Sequence, residues 1–386
     1  MKAQEQPLDA STQFCPNEAC AARGITGAGT LRVHAVHPPR YRCVTCKQTF
    51  SARRGTMMAG LRTPAELVVL VVTLLCSGCP AQAIVHAFDL DERTVADWQQ
   101  RAGKHCQRTH EALVERGQVM SSQVQADEIR AKGRKMIAWI ALAMDATRRL
   151  WLAGVVSERR DRALADRLFH HVRACLPPLR ALLVCTDGWA PYPKSILRAC
   201  REQVKQTAGP GRCCLVGWPG LCIATVIKRT EKKRVVAITR TLVVGTAEQA
   251  GGLLARTKGC KEFNTALIER FNGTMRERLA ALTRKCRHAA QRRDTLERGM
   301  YLVGATDTWC WPHHELSGKK HFGYPCTPAM AAGLTDHCWS VAELLSYTVA
   351  PAPWVAPKPR GRPRTRSLPA PAVLSKRPRG RPRKNL

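Results

Sequence analysis

Apolar positions in the middle of the chain fall first into alternating and short continuous runs. "VQADEI" (Val124 to Ile129), "KMIAWIALAMDA" (Lys135 to Ala146) and "RLWLAGVVSE" (Arg149 to Glu158) are rich in Ile, Val and Trp and are separated by short polar turns, a pattern that predicts a three-strand antiparallel meander. The spacing becomes helical over "DRALADRLFHHVRACL" (Asp161 to Leu176). It returns to a continuous apolar strand in "ALLVCTDGWAPY", ending at Asp187, and turns helical again in "PKSILRACREQ". Strand-like runs near Leu215 to Lys228 and Arg234 to Gly245 then precede one long helix, "NTALIERFNGTMRERLAALTRK" (Asn264 to Lys285).

Ahead of the strands the periodicity is helical. Pro64 suits a first helical turn, "SGCP" breaks the pattern, a second helix runs from about Pro80 to Phe88, and a third starts after Asp91. Three short helices with a tight middle connection predict a helix-turn-helix unit over residues 58–115. The third helix would then turn Arg93, Gln99, Gln100, Arg101 and Lys104 outward, toward base edges and phosphates. An ordinary three-helix packing unit is the alternative. The longest apolar run, "LVVLVVTLLC" (Leu67 to Cys76), is about half the roughly 20 residues needed to span a bilayer. It reads as a buried helix, with Cys76 and Cys79 as small turn residues.

Cysteine spacing sets off residues 1–57. Cys15 and Cys20 ("FCPNEAC") and Cys43 and Cys46 ("YRCVTCKQTF") make two close pairs flanking a strand-like stretch. Such pairs suit a tetrahedral zinc ion, and so short a segment has little apolar content for a core of its own. His34 and His37 are the alternative ligands, less suited by their position in the expected strand.

Charge narrows the partner. The 386 residues carry 62 Lys and Arg against 29 Asp and Glu, a formal charge of +33, and such a field favours a polyanion. Double-stranded DNA is the expected partner. A membrane surface is the competitor, but no basic amphipathic helix or lipidation signal supports it. With no charged-then-apolar leader, a cytoplasmic, nucleoid-associated protein is expected, whose 18 cysteines are metal ligands or core thiols. Beyond about residue 349 no core can form: residues 351 to 386 hold 11 Lys or Arg, 9 prolines and no acid. Within this expected disordered tail, Arg360, Gly361, Arg362 and Pro363 repeat as Arg379, Gly380, Arg381 and Pro382. The repeat resembles the AT-hook, an extended basic segment suited to a narrow minor groove. A nonspecific basic tail is the alternative.

The strand and helix order over residues 121–348 is that of an RNase H-like α/β fold, in which the first and fourth strands lie side by side and the late helix crosses near their ends. Asp127, Asp187 and Glu269 would then converge, with Glu128 as the alternative to Asp127. At roughly 100° per residue Glu269, Asn272 and Arg276 share one helix face, while Leu267, Ile268, Phe271, Met275, Leu279 and Leu282 face the core. Glu277 falls on a solvated stripe with Arg270 and Arg284. Asp145 reads as a turn residue, and Trp189 and Tyr192 either stack on a base or pack under the following helix. Cys310, His313, His314, His321 and Cys326 are too irregularly spaced to suggest a second metal site.

With "QADEI", "CTDGWAPY", "IERFNGTMRERLAALTRK" and "TPAMAAGLTDHCWSVAELL" (Thr327 to Leu345) following the cysteine pairs and the three helices, most of residues 12 to 346 resembles the DDE transposases of bacterial and archaeal insertion sequences. Within them it resembles specifically the insertion-sequence-one family. The resemblance implies a catalytic triad at Asp127, Asp187 and Glu269, supported by Asn272 and Arg276. It also implies two Mg²⁺ or Mn²⁺ ions, DNA strand cleavage and transfer at element ends, and a homo-oligomer on DNA. The metal chemistry fits independently, because phosphoryl transfer uses two divalent ions about 4 Å apart on hard oxygen ligands. A transposase-derived DNA-binding regulator without catalysis is the alternative, and a stand-alone nuclease a third.

Overall fold

The computed structural model describes residues 9–116, 119–133, 136–178, 181–205, 213–232, 234–257, 261–282, 292–319 and 321–356. The two AT-hook-like repeats, Arg360 to Pro363 and Arg379 to Pro382, lie outside the described residues. Among the described residues the protein is mixed α/β, with a six-stranded mixed sheet at its centre.

The N-terminal segment is a small antiparallel sheet of β1 (Leu31–Ala35), β2 (Arg40–Cys43) and β3 (Thr49–Ser51). Its core is thin: Leu31, Tyr41 and Phe50 close over the cysteines. Three helices follow: α1 (Ala65–Cys76), α2 (Ala81–Phe88) and α3 (Glu92–His110). Asp91 caps α3 by accepting from Arg93 N at 2.8 Å, which satisfies one of the amide donors left open at a helix start.

Next come β4 (Gln123–Lys132), β5 (Ile137–Asp145), β6 (Leu150–Ser157), α4 (Arg162–Cys175), β7 (Leu182–Asp187) and α5 (Pro191–Ala199). After α5 the structure departs from the expected order. "REQ" is not the end of the helix; it opens β8 (Arg201–Val204), which pairs with β9 (Cys214–Gly217) in a separate two-stranded sheet. The run expected as one strand from Leu215 is therefore two, β9 and β10 (Leu221–Glu231). The ion pair of Arg173 with Glu202, and the 3.1 Å bond from Trp218 Nε1 to Glu202, anchor that added sheet. Tertiary pairing here overrides the local helical pattern. Then come β11 (Arg234–Val244), α6 (Ala247–Ala255), α7 (Ala266–Arg278), α8 (Arg293–Trp309), α9 (His314–Ser317), α10 (Pro328–Ala331) and α11 (Val341–Ser346).

The strand order of the main sheet is β11-β10-β7-β4-β5-β6. β4 and β10 both run parallel to β7, while β5, β6 and β11 are antiparallel to their neighbours. β7 is apolar from Leu182 to Cys185 because both of its faces are covered there. Leu183 and Cys185 bury toward α6, while Leu182 and Val184 belong to the main core. That core is continuous across the boundary expected near residue 115, since Val71, Trp98 and Cys106 of the helical segment share it with Trp151 and Met300. The His110 ring meets Leu152 O at 2.9 Å and lies 4.4 Å from the Trp151 ring.

Two further differences have physical causes. α7 ends at Arg278, short of Lys285, because Leu279 turns extended (φ −92°, ψ 98°) and buries itself where Gly299 leaves room. The chain beyond residue 348 also stays attached for a few residues. Val349 N donates to Gly55 O at 3.4 Å, and Pro351 packs on Gly24, whose positive φ of 67° and missing side chain admit it. Among the described residues no helix is long and apolar enough to cross a membrane; the apolar α1 buries Val68, Val71 and Val72 in the core.

Candidate active site

The register of the central strands builds the site. β4 pairs with β7 as far as Ala126↔Thr186, so the next residue on each strand, Asp127 and Asp187, emerges side by side where the parallel ladder stops. Carboxyl ends of parallel strands are where such sheets expose reactive groups. Gly188 follows at once because Ile227 is close: a Cβ at that position would lie 2.8 Å from Ile227 Cγ1.

Glu128 joins the two aspartates. Oxygens of Asp127, Glu128 and Asp187 all lie within 4.8 Å of one another. Strand alternation places the Glu128 side chain opposite Asp127, but its carboxylate is drawn to the strand end by the Tyr192 hydroxyl, which donates to Oε2 at 2.6 Å, and by an ion pair with Arg160. Tyr192 is fully buried, packed edge-on to Phe169 and Trp189. Packing under the helix, rather than base stacking, is its place.

Burial pushes the Asp127 carboxyl up to about 7, and the charges of Glu128, Asp187 and Glu269 act in the same direction. Asp187 and Glu128 are raised too, chiefly by burial. A group of carboxylates that resists ionising is one that a cation would stabilise. The donor set is hard oxygen, suited to Mg²⁺ or Mn²⁺. Asn272 adds an unsatisfied polar atom: its Nδ2 donates to Asp127 Oδ2 at 2.8 Å, while its buried Oδ1 has no hydrogen-bond partner among the described residues. These residues can hold a divalent ion.

Glu269 stands across a cleft of about 460 Å³ that Asp187, Trp189, Lys228 and Thr265 also line. Its Oε1 is 2.5 Å from Lys228 Nζ and accepts from Thr265 Oγ1, also at 2.5 Å. The structure thus brings Asp127 and Asp187 together with Glu128 and leaves Glu269 on the facing wall, outside the group of three. The expected helix face is largely as drawn: Ile268, Phe271 and Met275 are buried and Glu269, Arg276 and Glu277 exposed. Asn272 is the exception. It points inward and orients Asp127, not Glu269.

Two residues that hold the site were not among the expected site residues. Gln125, fully buried, accepts from Leu267 N and Ile268 N at 3.1 Å each, and its amide donates to Asn264 at 3.2 Å. Thr265 gives α7 no side-chain cap and Asn264 takes only Ala266 N, at 3.2 Å, so a β4 side chain two residues before Asp127 holds the next two amides and with them the helix that carries Glu269. Arg160, in the turn after β6, ion-pairs with Glu128 and sits 3.4 Å from Asp187 Oδ2. A buried polar residue in "QADE" is a signal for the first; "ERRD" after a strand is only a faint one for the second. Asp145 closes the β5–β6 turn, accepting from Thr147 N at 2.9 Å and Ser121 at 3.0 Å.

Elsewhere, the four thiols of Cys15, Cys20, Cys43 and Cys46 also lie within 4.8 Å of one another. Cys15 is 3.6 Å from Cys46 and Cys20 is 3.8 Å from Cys43. A tetrahedron of Zn–S bonds has sulfur–sulfur edges of about 3.8 Å, so the set can hold zinc. His34 and His37 are exposed and outside it. Cys310, His313, His314, His321 and Cys326 form no metal-binding group among the described residues. On α3, Arg93, Arg101 and Lys104 are exposed, but Gln99 and Gln100 are half-buried, and Arg101 is committed to Asp97 at 2.7 Å. No protein-family model matches the chain, and comparison with curated proteins returns no match.

Proposed function

We propose that the protein is a DDE-type DNA transposase, whose RNase H-like domain cleaves and joins DNA strands with divalent metal at Asp127, Asp187 and Glu269. One observation carries this: the Ala126↔Thr186 register that sets Asp127 and Asp187 side by side where the β4–β7 ladder stops, with Glu269 on the helix across the cleft. The strand order supports it as well. Numbered within the main sheet alone, β6-β5-β4-β7-β10 runs 3-2-1-4-5, which keeps the first and fourth strands side by side as an RNase H-like sheet requires, with β11 added at the edge.

Bound at these carboxylates, divalent ions would activate the attacking water or 3′-hydroxyl and stabilise the leaving oxygen. The chain's own residues do the rest. Asn272 fixes the Asp127 carboxylate, Thr265 and Lys228 fix Glu269, and Gln125 fixes the helix start between them. The exposed Arg276 lies one turn beyond Asn272 on α7, where it can meet phosphate.

The four-cysteine module is a structural zinc ribbon, and α1 to α3 a helix-turn-helix that presents Arg93 and Lys104 to DNA. A homo-oligomer bound to two element ends, in the cytoplasm, completes the proposal. The test is to incubate the full chain with duplex carrying the sequences that flank its gene and Mg²⁺. Joined strands support the transposase. Cleavage without joining marks a nuclease, and binding alone a regulator that has lost catalysis.

A further inference from the structure

Arg160 occupies the position a cation needs at this site. Its guanidinium ion-pairs with Glu128 and reaches Asp187, and it lies 5.1 Å from the centre of the Trp139 ring and 4.8 Å from that of Trp189. A flat, weakly hydrated cation suits such a seat, because indole faces attract it while its planar fork meets carboxylate oxygens. The side chain is still 34% exposed and opens into the cleft. Lys228 does the same for Glu269 on the opposite wall.

The two carboxylates that Arg160 bridges come from different strands, and both belong to the acidic group. Without a positive charge between them Glu128 and Asp187 would repel each other. A divalent ion on Asp187 would bring a second positive charge beside the guanidinium, which lies 3.4 Å from Asp187 Oδ2, so the two cations compete for the same carboxylate. Released from that oxygen, Arg160 keeps its ion pair with Glu128 and can turn its remaining guanidinium donors to a phosphate that enters the cleft.

We propose that Arg160 is a positioning residue that exchanges partners: it holds Glu128 and Asp187 together in the metal-free chain, and turns to substrate phosphate when a divalent ion takes Asp187. This rests on the metal-dependent proposal for the same site.

The test uses the full-length, zinc-loaded chain, with Mn²⁺ titrations followed by electron paramagnetic resonance and duplex-DNA binding measured with and without Ca²⁺. Arg160→Ala is expected to bind Mn²⁺ about tenfold more tightly, since the competing cation is gone. It should bind DNA like the wild type without divalent ion, and about tenfold more weakly with Ca²⁺, when the wild-type arginine is free to reach phosphate. A merely structural role would not move the two readouts in opposite directions. If Arg160→Ala melts early, Arg160→Lys serves: it keeps the charge but loses the fork, so DNA affinity in Ca²⁺ falls while the metal-free affinity holds. Unchanged or weakened Mn²⁺ binding in a folded Arg160→Ala chain, or an equal loss of DNA affinity with and without Ca²⁺, overturns the proposal. Failure of the underlying reading looks different, because the wild type would then bind no Mn²⁺ that Asp187→Asn removes.

Discussion

Asn272 on α7 donates to Asp127 on β4 across 2.8 Å, and both groups sit at the end of the central parallel ladder. The bond joins the helix that carries Glu269 to the strand that carries the first aspartate. It therefore fixes the distance across the cleft as well as one carboxylate's orientation. Burial makes the link costly to break, because hydrogen bonds to charged groups are worth more than neutral ones.

Asn272→Ala is expected to lower stability by about 1.5–3 kcal/mol, the range for losing a hydrogen bond to a charged group. Strand cleavage should fall more steeply than that stability loss accounts for, since Asp127 is no longer held in one orientation. Urea unfolding and single-turnover cleavage, measured on the same preparation, separate the two effects. Full activity in a chain destabilised by this amount would mean that Asn272 serves the fold alone.

The raised Asp127 carboxyl, at about 7 through burial, gives a pH signature with a definite sign. In the unfolded chain the group titrates near 4, so the folded state prefers the protonated form between those values. Stability of the metal-free chain is therefore lost as pH rises from 4 toward 7 and gained as it falls. Divalent-ion affinity goes the other way, dropping about tenfold per pH unit below 7, because proton and metal ion compete for the same oxygens. Melting temperatures and Mn²⁺ titrations from pH 5.5 to 8, compared with Asp127→Asn, isolate the contribution. Parallel pH profiles for the two chains would assign the dependence to other groups.

The four sulfurs of Cys15, Cys20, Cys43 and Cys46 are spaced for one tetrahedral ion, and the apolar cluster around them is small. Elemental analysis is expected to find about one zinc per chain, lost when Cys43→Ser and Cys46→Ser are combined. The N-terminal module should then become protease-sensitive while the residues of the central sheet stay protected. Zinc retained in the double variant would place the metal elsewhere.

Much of the frame was legible because it is periodic. The alternation of the meander, the unbroken apolar run of β7 and the Cys spacing each follow from one local rule, and β4, β5, β6 and β7 stand where those rules put them. What escaped was set by contacts distant in sequence. Arg201–Val204 became a strand because a partner strand and Glu202's ion pair hold it. α7 ended early because Leu279 had a cavity to fill. Asn272 was expected beside Glu269, yet it turned to Asp127 because a polar group beside a buried carboxylate is worth more there than at the rim. Arg160 carried no motif at all, and "QADEI" gave no role to its Gln125; only the folded sheet brings a β4 glutamine to the start of α7, or a turn arginine between two indoles.

The claim that matters most is that Asp187 and Glu269 work together on DNA through metal, although they stand on opposite walls of the cleft. Single-turnover cleavage of duplex DNA carrying the element's flanking sequence, in Mg²⁺, tests it with Asp187→Asn, Glu269→Gln and the exposed control Glu277→Gln. Each of the first two changes removes a negative charge while keeping shape, so DNA binding should persist and cleavage should fall by about three orders of magnitude or more. Glu277→Gln should cost less than about threefold, the range of a surface change. Cleavage that survives Glu269→Gln but disappears in Glu128→Gln would contradict the account, and would assign the third ligand to the carboxylate already beside the two aspartates.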